Sequence, residues 1–173
     1  MTPNRTHHRA LGITLALIVF ALDQLTKYIV TVPLNLKTVG QIELLPFFNL
    51  TWVENYGVSL GLLTADSAVE RWALTALTLG IATVVAVWLW REKNRQDVFG
   101  LGLILGGALG NILDRVRFGH VVDFADLHFG GFRPFLVFNI ADAAITIGVL
   151  ILFFRALLAR DKPKADQDAQ LDA

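Results

Sequence analysis

Residues 135–158 read FLVFNIADAAITIGVLILFFRALL, and within them only Asp142 and Arg155 are charged. A bilayer core of about 30 Å requires roughly 20 apolar residues in helix, so Phe135–Leu158 is long enough to cross it. Three further stretches qualify or come close: Leu11–Val30, Trp72–Trp90 and Val98–Leu113. Trp72–Trp90 carries no charge and has Trp at both ends, where interfacial anchors belong. Val98–Leu113 is short and rich in glycine. Its Gly102, Gly106 and Gly110 fall on one helical face, which lets a neighbouring helix approach closely. The expected fold is therefore an all-α integral membrane bundle of four transmembrane helices.

Bulk composition agrees. The chain is 54% apolar with zero formal net charge and a mean hydropathy of +0.55. A water-soluble domain of 173 residues with that composition would expose apolar patches far beyond the usual size. Zero net charge gives no electrostatic case for nucleic acid. With no cysteine, disulfides and thiol chemistry are excluded. Arg5 and Arg9 ahead of Leu11–Leu25 resemble the start of a secretory signal. No small-residue cleavage pattern follows, however, and Asp23, Gln24 and Lys27 interrupt the run before Pro33. A retained first helix is expected.

The basic residues orient the bundle. Arg5, Arg9, Arg91, Lys93, Arg95, Arg155, Arg160, Lys162 and Lys164 fall at one side; Lys27, Lys37, Arg71, Arg115, Arg117 and Arg133 fall at the other. The larger group is expected in the cytoplasm together with both termini. Residues 31–71 and 114–134 then lie outside. Within 31–71, Ile42–Val53 has the β-prone run Leu50–Val53, and short strands are expected there. A turn follows at Asn55-Tyr56-Gly57, and an interfacial helix is expected over Ser59–Arg71. The polar tail, residues 161–173, is expected to be disordered.

Ionisable groups in or beside membrane helices are costly and point to function. Asp142 is expected about two turns into the fourth segment, roughly 10 Å along a helix from Phe135, with Asn139 on the same face. Alone, it fits a polar helix contact or a proton or ion site better than catalysis. Asp123 sits among Val121, Val122 and Phe124, an odd setting for a solvated loop carboxylate. If the chain folds back so that Asp123 faces Asp142, the two carboxyls would share a proton. One could then activate water while the other protonates a carbonyl, as in aspartic proteases. Asn111 and Asp114 form another i, i+3 pair at the end of helix three, and Arg115 is expected to neutralise Asp114 or, as the second reading, to hold a substrate carbonyl or lipid phosphate. Asp23 and Lys27 are read as an intrahelical ion pair.

Taken in order, Asp23-Gln24-x-x-Lys27, Asn55-x-Gly57, Gly106-Gly-Ala-Leu-Gly-Asn-x-x-Asp-Arg115, Val121-Val-Asp-Phe124 and Phe138-Asn-x-Ala-Asp142 resemble the bacterial lipoprotein signal peptidase (signal peptidase II) family. The resemblance runs from about Asp23 to Gly148. It implies a four-helix bundle with a small extracytoplasmic β-cradle and an interfacial helix. It implies an aspartyl endopeptidase that cleaves diacylglyceryl-modified prolipoproteins just before the lipidated cysteine, at the outer face of the inner membrane. The catalytic pair maps onto Asp123 and Asp142, and supporting or substrate-binding positions onto Asn55, Asn111, Asp114, Arg115 and Asn139. Ala143 stands where the family usually has Ser, and Tyr56-Gly57-Val58 where it commonly has Thr-Gly-Ala.

Three rival readings stand beside it: a proton- or ion-coupled transporter, a metalloprotease using His120, Asp123, Asp126 and His128, and a purely structural scaffold, which leaves the clustered Asn and Asp residues unexplained. Four helices without an inverted repeat make a poor transporter, and the zinc signature H-E-x-x-H is absent. No cofactor or metal is expected. The expected partners are lipid-modified precursors and membrane lipids, and the expected state is a monomer.

Overall fold

The computed structural model describes residues 5–57 and 68–160. Along the chain run α1 (Arg5–Thr31), α2 (Leu36–Val39), β1 (Gln41–Leu45), β2 (Phe48–Asn55), α3 (Ala68–Arg91), α4 (Arg95–Phe118), β3 (Val121–Leu127) and α5 (Ile140–Arg160). Four of these helices are long and apolar enough to cross a membrane. The expected interfacial helix falls largely outside the described residues, as does the tail 161–173.

α4 is the central helix and packs against α1, α3 and α5. It is longer than its apolar run because both ends are capped. The Asn94 side chain accepts from Gln96 N at 2.9 Å, satisfying one of the donors a helix start leaves open. Gly119, at φ 83°, ends the helix with its N–H on Arg115 O, a left-handed cap that favours glycine. The glycines expected to admit a neighbour do so against α1. A Cβ on Gly102 would lie 2.8 Å from Gly12 O, and one on Gly106 would run into the Ala16 backbone. α3, apolar all round as a lipid-facing helix is, leaves Leu77, Ile81 and Val84 exposed.

Beyond one end of the bundle lies an antiparallel sheet in the order β1-β2-β3. β2 is the middle strand, with Val53 opposite Asp123 and Asn55 opposite Val121. Val30, Leu36, Leu50, Val122, Phe124 and Ala125 form the core that seats this sheet on α1 and α2. Strands within residues 31–71 match expectation. β3 does not: the segment after α4 was expected only to fold back, and it is a buried strand.

The fourth helix also departs from expectation, starting at Ile140 and not Phe135. Phe138, one of the apolar residues before it, bonds to the sheet instead. Phe138 N donates to Ala125 O at 3.0 Å, and Ala125 N donates back to Phe138 O at 2.7 Å. Asp142 therefore stands in the first turn of α5, at the end of the span and not two turns inside it.

Candidate active site

The carboxylates of interest meet where the sheet joins the helices. β3 carries Asp123 inward, 1% exposed, and the first turn of α5 carries Asp142. Asn139 holds both. Its Nδ2 donates to Asp123 Oδ1 at 2.6 Å. Its Oδ1 accepts from Asp142 N at 2.9 Å, while its own N–H donates to Asp142 Oδ2 at 3.3 Å. The last two bonds form a reciprocal capping box, Asn at N-cap and Asp at N3. The cap that starts α5 thus also fixes the position of Asp142 relative to Asp123.

Each carboxylate has a further donor. Asn55 Nδ2 reaches Asp123 Oδ2 at 2.9 Å, and Asn55 Oδ1 is itself held by Gly57 N at 2.9 Å. Asn111 Nδ2 donates to Asp142 Oδ1 at 2.8 Å, while Asn111 Oδ1 accepts from Asn139 Nδ2 at 3.2 Å. Burial, and secondarily the like charge of Asp142, push the Asp123 carboxyl up to about 6; the donors Asn55 and Asn139 and the charge of Lys27 pull the other way.

Beneath this pair lies a second polar layer that ties α1 to α4. Lys27 Nζ lies 2.9 Å from Asp23 Oδ2 and 2.7 Å from Asp114 Oδ2, and donates to Asn111 Oδ1 at 3.1 Å. Asp23 and Asp114 are fully buried and Lys27 is 4% exposed. Asp23 and Lys27 are thus an intrahelical pair as expected, but they also form the floor of the site. Asp23 Oδ1 accepts from Ala141 N at 3.0 Å, capping a second donor of α5. Gln24 was not singled out by the sequence as a site residue. It donates to Asp114 Oδ1 at 3.1 Å, and its place in the quoted Asp23-Gln24-x-x-Lys27 motif was the available signal.

Arg115 departs from expectation. Asp114 is neutralised by Lys27 and bonded by Val122 N at 3.2 Å, because adjacent residues on a helix point in different directions. Arg115 Nε is buried with no acceptor among the described residues. The candidate metal ligands are dispersed: Asp126 is bound by Arg133 through Nε and Nη2, each at 3.1 Å, and His120 lies 3.9 Å from Glu54. Among the described residues no group of three or more His, Cys, Asp or Glu is placed to share an ion.

Glu54 anchors the end of β2. It pairs with Lys37 at 2.8 Å and accepts from Tyr56 Oη at 2.7 Å. These bonds hold its carboxyl down at about 2, and they fix the strand end that presents Asn55.

Residues 15–158 match the family described as signal peptidase (SPase) II. The chain is 56% identical to a lipoprotein signal peptidase of Sphingopyxis alaskensis over 99% of its own length and 100% of that protein. It is 56% identical to the one from Rhizorhabdus wittichii, over 93% and 94% of the two chains. Among solved structures it resembles a bacterial membrane enzyme obtained by the in meso method at 2.3 Å resolution. That likeness has a TM-score of 0.77 and 31% identity, and covers 91% of this chain and 94% of the other.

Proposed function

Since this chain belongs to the signal peptidase II family, we propose that it cleaves by aspartic-type chemistry, with Asp123 and Asp142 as the catalytic pair. It is a membrane peptidase that removes signal peptides from lipoprotein precursors, and the transporter alternative has no support. The observation that carries the aspartic reading is Asn139, which hydrogen-bonds both carboxylates at one buried junction.

The environments support a division of roles. Asp123, desolvated and beside a like charge, is the member that holds a proton up to about pH 6. Asp142 accepts from Asn111 and from Asn139 N in the first turn of α5, where the helix N-terminus favours negative charge. Asp142 takes a proton from a water, whose oxygen bonds to the scissile carbonyl carbon. Asp123 delivers its proton to the carbonyl oxygen. In collapse, the proton on Asp142 passes to the leaving nitrogen as the C–N bond breaks, and Asp123 regains its own. Arg115, with a buried donor lacking an acceptor, is placed to receive a substrate carbonyl. Asn55 and Asn111 hold the carboxylates in register.

The substrate is a diacylglyceryl-modified precursor, cut just before the lipidated cysteine by a monomeric enzyme. The site opens at the outer face, with both termini cytoplasmic. Reporters fused after Arg95 and after Arg160 should read as cytoplasmic and one after Lys37 as extracytoplasmic; the reverse pattern would refute this topology. The deciding experiment is cleavage of a lipidated precursor by Asp123→Asn, Asp142→Asn and the double variant. Each single change lowers turnover more than about 10³-fold, and the double is no worse because one proton needs two carboxyls. Substantial turnover by either single variant removes the pair.

A further inference from the structure

The end of the bundle away from Asp123 and Asp142 contains a cavity of about 640 Å³ between α1, α4 and α5. Its polar lining is Arg95, Gln96 and Arg155, and the rest is apolar, including Leu11, Phe99 and Phe154. Arg95 and Gln96 are the first two residues of α4, at the positive end of its dipole. Arg155 Nε lies 3.3 Å from Asp97, while its Nη1 is buried with no acceptor among the described residues.

The carboxylates at this end are already engaged. Asp97 faces Arg155, and Glu92 accepts from Lys93 N and Asn94 N at 2.8 Å each and from Trp88 Nε1 at 3.0 Å. Arg9, Arg91, Lys93, Arg95 and Arg155 outnumber those two acids. A site with two guanidinium groups and a helix N-terminus at the mouth and aromatic walls beneath suits an amphiphile with an anionic head. Free phosphate would leave the apolar wall uncovered.

We infer that this cavity binds an anionic phospholipid, its phosphate against Arg95 and Arg155 and an acyl chain along Phe99 and Phe154. Such a site is distinct from the peptidase centre and independent of the roles given to Asp123 and Asp142. Basic pockets between helices recognise lipid headgroups through this combination of charge and apolar contact.

The test is native mass spectrometry of the full-length, delipidated protein titrated with phosphatidylglycerol, phosphatidylcholine or inorganic phosphate. Phosphatidylglycerol is expected to be retained at concentrations where phosphatidylcholine is not, and not to be displaced by phosphate. Arg95→Gln should weaken retention about fivefold, and Arg95→Gln with Arg155→Gln further. Arg91→Gln with Lys93→Gln, at the same end but off the cavity, should leave it within about twofold of the parent. Arg95 is exposed, so its variant decides the matter even if loss of Arg155 impairs folding. Equal weakening by the off-cavity pair, no effect of Arg95→Gln, or displacement by inorganic phosphate would each overturn the site.

Discussion

Asn139 Nδ2 donates to Asp123 Oδ1 at 2.6 Å, and this one contact couples the start of α5 to β3. The same residue caps the helix that carries Asp142. Helix initiation and dyad geometry are therefore a single local arrangement, and a substitution can separate them.

Asn139→Ser keeps an N-cap of comparable quality but is too short to reach Asp123. Folding should lose about 1–3 kcal/mol, because Asn111 Oδ1 and Val122 O lose the same buried donor, while turnover of the protein that remains folded falls about 10- to 100-fold. Thermal unfolding in detergent, run beside the cleavage assay, checks both halves. Unchanged turnover in the protein that remains folded would mean that Asn139 serves only the fold.

The spans were legible because hydropathy over some 20 residues is a local signal, and the glycine face of α4 was legible because its spacing is helical. Asp142's position was not, since Phe135–Phe138 are as apolar as a helix, yet Phe138 bonds to β3. Hydropathy records burial, not backbone conformation. β3 was hidden for a related reason: Val121–Leu127 becomes a strand only because β2, distant in sequence, offers it an edge. The start of α5 was readable all the same, as Asn139 three residues before Asp142 is a capping pattern. Lys27's reach to Asp114 across helices had no sequence signal beyond the motif itself.

The rate should decline on the alkaline side. With Asp123 as the proposed acid, whose carboxyl is pushed up to about 6, kcat/KM should fall as pH rises through about 6. Stability has the same sign. The folded state holds the proton more tightly than the unfolded state, whose carboxyl titrates near 3.8. Stability is then lost as pH rises from about 3.8 to 6, by up to about 3 kcal/mol. Asp123→Asn should lack that part of the slope. An alkaline limb confined to pH above about 8 would transfer the acid role away from Asp123.

Removing the cation beneath the site should damage the fold itself. Lys27 separates two buried carboxylates, Asp23 at 2.9 Å and Asp114 at 2.7 Å. Lys27→Met leaves both without their counter-charge, at a cost of about 3–5 kcal/mol. Adding Asp23→Asn and Asp114→Asn should recover part of that loss, since neutral amides need no counter-ion. Unfolding in bicelles would show it, and a loss under about 1 kcal/mol would mean that the network contributes little.

The substrate's lipid should act by positioning. Asp142 lies in the first turn of α5, so the reacting bond meets the pair at the end of the span, level with the membrane interface. A diacylglyceryl group beside that bond would lie among the helices, each buried methylene contributing about 0.8 kcal/mol. Much of that energy merely keeps the precursor in the bilayer, with or without enzyme. The remainder fixes the register, setting one carbonyl against Asp123 and Asp142 and its neighbours near Arg115, and correct register alone is worth about 10²-fold in rate. Lipidated and unlipidated precursors, both embedded in micelles at equal surface concentration, should therefore differ about 10²-fold in single-turnover rate at saturating enzyme. Because partitioning is matched, a difference at saturation reports placement and not capture. Equal rates would make the enzyme a general membrane endopeptidase that reads the helix end and ignores the lipid.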